Sequence, residues 1–341
     1  MSLFDLPPVW MAPMAGEAAS AALVAAVSAG GGFGQLGAAY LAPARIGEVA
    51  ADIRARTEQP FGINLFCPQA WVRDDDALDA YLARLVPWHV ELGLPAPTRP
   101  ERFEEDFDAQ LEATIAARPA VISFAMGDPG VARVAALKAQ GFIVLGTATQ
   151  VVEGLLLQAS GVDAVIAQGY EGGGHRGGFF GTPEGALIGT MALVPQLVDA
   201  LSIPVIAAGG IADTRGVAAA QALGASAVTV GTAFLLVDEC PLSPAYRAAL
   251  LAARDADSTL TRAFSGRLAR GVANRVTREL EGVELPAFPQ PNAASRPMRQ
   301  AAAKAGDADF ISLWAGQALP LNRAPGTAAD LVAALEKGWR A

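Results

Sequence analysis

Cysteine and histidine are scarce in this chain of 341 residues, and each scarcity removes a class of chemistry. The two cysteines, Cys67 and Cys240, are far apart and form no Cys-x-x-Cys pair. That excludes a disulfide framework or a zinc cluster. The two histidines are His89 and His175, and neither has a second His or Cys at ligand spacing, so no metal centre is expected. Charge is also sparse, at 17% of residues, and the formal net charge is −9. An acidic surface repels phosphate backbones, which argues against a broad nucleic-acid partner but leaves room for one small anion held by local backbone amides. There is no Gly-x-Ser-x-Gly elbow, no Walker-type loop and no G-x-G-x-x-G after the first predicted strand. The first residues, Met1-Ser-Leu-Phe-Asp-Leu-Pro-Pro8, lack a basic stretch followed by an apolar one, so no signal peptide is expected. Residues 18–41 carry no charge and are long enough to cross a bilayer, but Gly30-Gly31-Gly32 interrupts them. They read instead as a buried helix, a turn and a strand. The expectation is a cytoplasmic protein with no membrane partner.

What the chain does have is apolar residues, 52% of the total, enough for a large core. They fall into short β-rich runs alternating with Ala-rich helical runs. Strands are predicted at 9–14, 33–37, 61–65, 120–125, 142–145, 164–167, 205–208 and 227–230. Helices are predicted at 18–29, 43–56, 131–140, 150–159, 191–201 and 214–223, and further helical stretches at 76–86 and 103–117 lie in a more polar excursion spanning 66–119. The strand runs are near-continuous rather than alternating, as in a parallel sheet covered on both faces. Eight such units favour closure into an α/β (β/α)8 TIM barrel over an open sheet. The regular rhythm stops near residue 255. The expected organisation is a barrel over 1–255 and a mainly helical extension over 256–341, packed over one end, with helices at 299–304, 310–317 and 327–337.

Working residues of a parallel barrel lie where its strands end. The third predicted strand ends at Asn64 and the sixth at Gln168, which runs into Gly169-Tyr-Glu-Gly-Gly-Gly-His175-Arg-Gly-Gly178. The seventh ends in Gly209-Gly210 and the eighth in Gly231-Thr232. The last two loops have the character of a barrel phosphate site: glycines that admit a ligand close to the backbone, and a short helix start that points free N–H groups at an anion. His175 has five glycines within three residues on either side. Such a loop is entropically costly and is tolerated where backbone must approach a ligand. An imidazole there can move a proton. His89, after Pro87-Trp88, reads as structural or surface.

Several segments together resemble the nitronate monooxygenase family, formerly called 2-nitropropane dioxygenases. They are Met11-Ala-Pro-Met-Ala-Gly16, Pro60-Phe-Gly-Ile-Asn-Leu65, Ala167-Gln-Gly-Tyr-Glu-Gly-Gly-Gly-His-Arg-Gly177 and Pro204-Val-Ile-Ala-Ala-Gly-Gly-Ile-Ala212, extended by Val230-Gly-Thr-Ala-Phe234 and Phe264-Ser-Gly-Arg-Leu-Ala-Arg-Gly271. The resemblance implies an FMN-binding barrel that oxidises alkyl nitronates, propionate 3-nitronate-like or derived from nitroalkanes, with O2 to a carbonyl compound and nitrite. By position it implies FMN contacts at Asn64, Gln168, Gly173, Gly209, Gly210, Thr229, Val230, Gly231 and Thr232, with Met14 over the ring and His175 beside the flavin as acid/base or anion-orienting group. A homodimer is compatible with it. The chain departs from the family in carrying Gly172 where alanine is frequent, in its Tyr170, and in having no tyrosine beyond Tyr246, where some members place substrate-site tyrosines and a lysine. An NAD(P)H-dependent flavin reductase of the quinone reductase or enoyl-acyl-carrier-protein reductase kind is the alternative on the same barrel. A non-catalytic phosphate-binding barrel is a third possibility, and fold alone does not choose among them.

Overall fold

The computed structural model describes residues 1–18, 20–321 and 326–340. Eleven strands occur among them. They are β1 (Val9–Met11), β2 (Gly34–Gly37), β3 (Phe61–Phe66), β4 (Val121–Ala125), β5 (Ile143–Ala148), β6 (Ala164–Gln168), β7 (Gly174–His175), β8 (Val205–Ala208), β9 (Ala227–Val230), β10 (Ser258–Thr261) and β11 (Ala269–Val272). Eight form one parallel sheet in the order β1-β9-β8-β6-β5-β4-β3-β2. The seam between β1 and β2 closes through parallel bridges at Trp10–Phe33 and Met14–Leu36, with Met11 N–H donating to Phe33 O at 2.9 Å and Phe33 N–H to Val9 O at 3.0 Å. The expected barrel is therefore present, and all eight expected strands are in it.

Alternation along each strand sorts the side chains into two cores. Trp10, Phe33, Val121, Ile143, Leu145, Ala164, Ile166, Ile206 and Ala227 point into the barrel, and Leu3 and Leu6 of the first turn pack against this cluster. Trp10 and Phe33 pack with ring centroids 4.7 Å apart and planes tilted by 53°. Gly62 makes room for them, since a Cβ there would sit 3.1 Å from the Phe33 ring. Neighbours one residue along, such as Val9, Ile63, Val144, Val165 and Val228, face the helices and belong to the larger outer core. A strand buried on both faces needs apolar residues at every position, which is why these runs do not alternate in sequence.

Polar and small residues replace the apolar ones at the last inward position of several strands. Gln168 lies level with Ala208, and Ala208 with Thr229, by the strand register. Asn64 lies level with Ser123. The barrel is thus dry and filled at one end and polar at the C-terminal end of its strands.

A cover closes over that polar end. It is made of two distant segments. From the excursion between β3 and β4, the helix Asp75–Glu91 turns outward, while Phe107–Ala116 returns to the outer helical ring. The first runs on through Pro87, past its predicted stop, and buries Leu85, Trp88 and His89. Tyr81 donates its hydroxyl to Ala263 O at 3.0 Å, and Trp88 its indole N–H to Glu279, joining this helix to the second segment. That second segment contains β10, β11 and the helices Gln290–Ala294 and Arg296–Ala305. Here the structure departs from expectation. β10, β11 and β7 form a three-stranded antiparallel sheet with no counterpart in the predicted elements. The helix expected at 310–317 is instead a short 3-10 turn, Ala308–Phe310, followed by an extended run in which Trp314 bridges Gly271. Gly316 leaves that run without helical propensity, and the extended form carries Trp314 to the cavity.

The last helix, Ala328–Trp339, leaves the cover and packs between Thr214–Ala222 and Ala21–Ala29. It fills the place of the eighth ring helix, between β9 and β1. The fit is close: a Cβ on Gly338 would lie 2.2 Å from Thr214 O, and one on Gly30 would lie 2.8 Å from Ala329 Cα. The obstructing atoms are backbone, so they cannot rotate away. Gly338→Val is therefore expected to lower the stability of the whole barrel by about 1–3 kcal/mol, read as a lower urea midpoint. An unchanged midpoint would show that this helix is only loosely attached.

Candidate active site

Between the strand ends and the cover lies a cavity of about 550 Å³. Met14, Asn64, Gln168, Gly173, His175, Gly209, Gly210, Thr229, Gly231 and Thr232 all line it. Val230 does not. Alternation along β9 turns Thr229 inward and Val230 outward, where it joins the outer core at 1% exposure.

Gln168 organises the wall that carries His175. Its side-chain oxygen accepts from Gly177 N–H at 2.7 Å, and its side-chain amide donates to His175 O at 3.1 Å. One residue thus holds the backbone on both sides of Arg176, directly after His175. From behind, the Arg176 guanidinium, 2% exposed, donates to Gln168 O, Gly169 O and Ala186 O. Burial brings that guanidinium down to about 10. Beyond the turn, the carboxylate of buried Glu153 accepts from Phe179 N–H and from Phe180 N–H at 2.8 Å, and from Thr149 N–H at 2.6 Å. Arg267 holds the carbonyls of the same stretch, donating to Arg176 O at 3.1 Å and to Gly178 O. Antiparallel pairing of His175 with Ala269 completes the frame.

The His175 ring is held among aromatic rings, at 5.6 Å from Trp314, 5.8 Å from Phe288 and 6.3 Å from Phe66. Its Nε2 lies 2.8 Å from Ser265 Oγ. Burial, and then the positive charges of Arg267 and Arg299, push the imidazole down to about 3. His175 is therefore neutral through the ordinary pH range.

The opposite feature is a set of cations on an acidic protein. Arg296 and Arg299, on the helix Arg296–Ala305, line the cavity together with Tyr40. Arg299 is held by Asn292 O at 2.7 Å. The Tyr40 hydroxyl is buried and has no hydrogen-bond partner among the described residues, and burial pushes it up to about 12. These residues were missed in the sequence. The i, i+3 spacing of Arg296 and Arg299 put them on one helix face, but nothing local tied that face to the barrel mouth. At the end of β4, Met126 adopts φ 64°, a left-handed conformation uncommon for a side chain of its size, and donates its N–H to Gly177 O at 2.7 Å.

The remaining donors suit a phosphorylated, ring-bearing ligand. Among the described residues, the amides of Gly210, Gly231 and Thr232 have no acceptor. Gly209 and Gly210 sit at φ 100° and 71°, which only glycine adopts freely. The Thr229 hydroxyl is buried without a partner. Asn64 donates to Ser123 O at 3.1 Å and Ser123 Oγ at 3.0 Å, which leaves its side-chain oxygen to accept. Unpaired buried polar groups are costly in a finished core and are satisfied by a ligand. No group of three or more His, Cys, Asp or Glu residues that could hold a metal ion occurs among the described residues.

A closed (β/α)8 barrel with a covered polar cavity at its strand ends has the architecture of a barrel enzyme. Residues 1–338 match the family described as nitronate monooxygenase, and the chain belongs to that family. It is an oxidoreductase of the nitronate monooxygenase type, and the family is flavin-dependent. A probable nitronate monooxygenase of Staphylococcus aureus (strain Newman) is 39% identical over 314 residues, covering 91% of this chain and 88% of that protein. One from Staphylococcus haemolyticus (strain JCSC1435) is 37% identical over the same shares. Among solved structures, nitroalkane oxidase from Streptomyces ansochromogenes is similar at 38% identity with a TM-score of 0.93, covering 99% of this chain and 97% of that one. FabK from Thermotoga maritima is similar at 28% identity with a TM-score of 0.77, covering 99% and 94%. No helix among the described residues is long and apolar enough to cross a membrane.

The depressed His175 has a sign-definite consequence. Between about 6.5 and about 3 the unfolded chain binds a proton that folded His175 refuses. Stability from this residue is full above 6.5 and is lost as pH falls towards 3. The wild-type urea midpoint should drop more between pH 7 and pH 4 than that of His175→Asn. Parallel losses in the two proteins would show that His175 titrates normally.

Proposed function

We propose that the protein binds FMN in this cavity and oxidises alkyl nitronates with O2 to a carbonyl compound and nitrite. The observation that carries the reading is the meeting, on one cavity, of His175 with the open amides of Gly210, Gly231 and Thr232. Those amides suit the phosphate, with Gly173 and Gly209 admitting the ligand close to the backbone. Asn64, Gln168 and Thr229 offer polar groups to the ring system, and Met14 lies at the same wall. When bound, the flavin supplies the electron acceptor for the substrate and passes electrons on to O2.

The chain's own residues deal with charge and protons. A nitronate is an anion with electron density at the carbon to be oxidised, so it needs orientation rather than a base. Arg296, which makes no hydrogen bond or ion pair among the described residues, and Arg299 set a positive field in the cavity for such an anion, propionate 3-nitronate-like or derived from a simple nitroalkane. A neutral nitroalkane must first lose its α-proton. Neutral His175 can accept it, and the forming nitronate beside the imidazolium offsets the repulsion from Arg267 and Arg299. The aromatic wall of Phe66, Phe288 and Trp314 keeps water from that proton.

The similarity to FabK at 28% identity gives a second reading, an NAD(P)H-dependent flavin reductase on the same site. Anaerobic visible spectra of the purified protein separate the two. Fast loss of flavin colour with propyl nitronate, and not with NADH or NADPH, supports nitronate oxidation. The reverse pattern overturns it. His175→Asn should lower turnover of neutral nitroalkanes by about 10²–10⁴-fold while affecting preformed nitronates much less. Equal losses with both would remove the base role.

A further inference from the structure

Ser265 follows β10 in the cover, far in sequence from the glycine-rich turn, yet its hydroxyl is the hydrogen-bond partner of the His175 ring. The side chain is 1% exposed, so its hydrogen bonds can be counted without competition from water. Three groups surround Ser265 Oγ. Arg267 N–H donates to it at 3.3 Å. Arg267 O lies at 3.1 Å and can only accept. His175 Nε2 lies at 2.8 Å and can do either, depending on the tautomer.

A hydroxyl has one proton to give. If Ser265 gave it to Nε2, its oxygen would face Arg267 O at 3.1 Å with no hydrogen between them. Arg267 O has no other donor among the described residues, so it would be left without a partner in the cover. Giving the proton to Arg267 O satisfies both oxygens, and the remaining lone pair of Oγ then requires a proton on Nε2. His175 Nδ1 accepts no hydrogen bond from the described chain and is not among the sealed polar atoms without a partner. On a residue that lines the cavity, it is the nitrogen left available.

We propose that Ser265 is the positioning residue of the site: its hydroxyl, oriented by the Arg267 backbone, locks His175 in the Nε2–H tautomer, so that Nδ1 is the atom that meets the substrate. The balance of the proton step follows. The α-carbon's proton passes to Nδ1, the C–H electron pair stays on the substrate as nitronate, and the imidazolium keeps its Nε2–H on Ser265. Neither proton on the ring is left unpartnered. The Arg267 side chain supports the same geometry from the other direction by holding Arg176 O and Gly178 O. The tautomer is a statement about the protein alone, whereas its use in proton transfer rests on the nitronate reading above.

The test is nitrogen NMR on the purified protein labelled with ¹⁵N-histidine. Only two histidines contribute, and the signals missing in His175→Asn belong to His175. At neutral pH, Nε2 of His175 should give a pyrrole-type signal and Nδ1 a pyridine-type one. The reversed assignment overturns the proposal whatever the substrate is. In Ser265→Ala the lock is absent, and the other tautomer should become populated. Ser265→Thr, which keeps the hydroxyl, should restore the wild-type pattern. With nitroalkanes, Ser265→Ala should lose about tenfold or more in kcat/KM, a larger loss than with preformed nitronate, and Ser265→Thr should recover it. A Ser265→Ala protein with the wild-type tautomer and equal losses on both substrates would reduce Ser265 to a packing residue. Should that variant fail to fold, the wild-type spectrum alone still decides the tautomer.

Discussion

A turn with as many glycines as the one after β6 has no means of fixing its own shape, because each glycine multiplies the backbone conformations that must be given up. The shape of this cavity wall therefore depends on hydrogen bonds supplied from outside the turn. Gln168 bridges its two sides, Arg176 pins its start, and Glu153 and Arg267 take the amides and carbonyls of its far end. The glycines in turn allow these groups to come close. A Cβ at Gly178 would lie 2.7 Å from the Glu153 carboxylate, and one at Gly177 would lie 2.8 Å from Thr147. Rigidity and close approach are thus two results of one composition.

Ionised groups in this frame are buried in an ordered way. Arg176 and Arg267 are cations bonded to neutral backbone oxygens, while Glu153 and Glu171 are anions bonded to neutral N–H and hydroxyl groups. Opposite charges face each other across the turn without direct ion pairs. Most of these donors and acceptors are spent on backbone atoms, which approaches the condition under which buried charge is tolerable. His175, with one ring nitrogen spent on Ser265, lines the cavity beside this frame.

The barrel was readable from the sequence because each strand is buried on both faces and so appears as an unbroken apolar run, as in Val205-Ile-Ala-Ala208 and Ala227-Val-Thr-Val230. Asn64, Gln168 and the Gly209-Gly210 and Gly231-Thr232 pairs were readable because they interrupt such runs at the same end. The cover was not. β7 is two residues inside a glycine loop, and β10 reads Ser-Thr-Leu-Thr, with no periodicity to mark it. Trp314 lies in a stretch expected to be helical, and its extended form is set by pairing with Gly271, which is tertiary information. Val230 stands in the same run as Thr229 and Gly231, whose identities alone do not show which of them face the cavity. The two-residue period of the strand separates them. Arg296 and Arg299 reach the cavity, and Ser265 reaches the His175 ring, only through the packing of two segments separated by five barrel strands.

The return of Ala328–Trp339 to the outer ring sets an order in time. Helix Ala21–Ala29 leaves the ribosome about 300 residues before Ala328–Trp339, and one flank of it stays uncovered until residues 328–339 emerge. All eight strands and the cover are synthesised before that happens. The seam between β9 and β1 therefore stays exposed until residues 328–339 emerge, and the nascent chain carries an open apolar flank that Ala328–Trp339 seals.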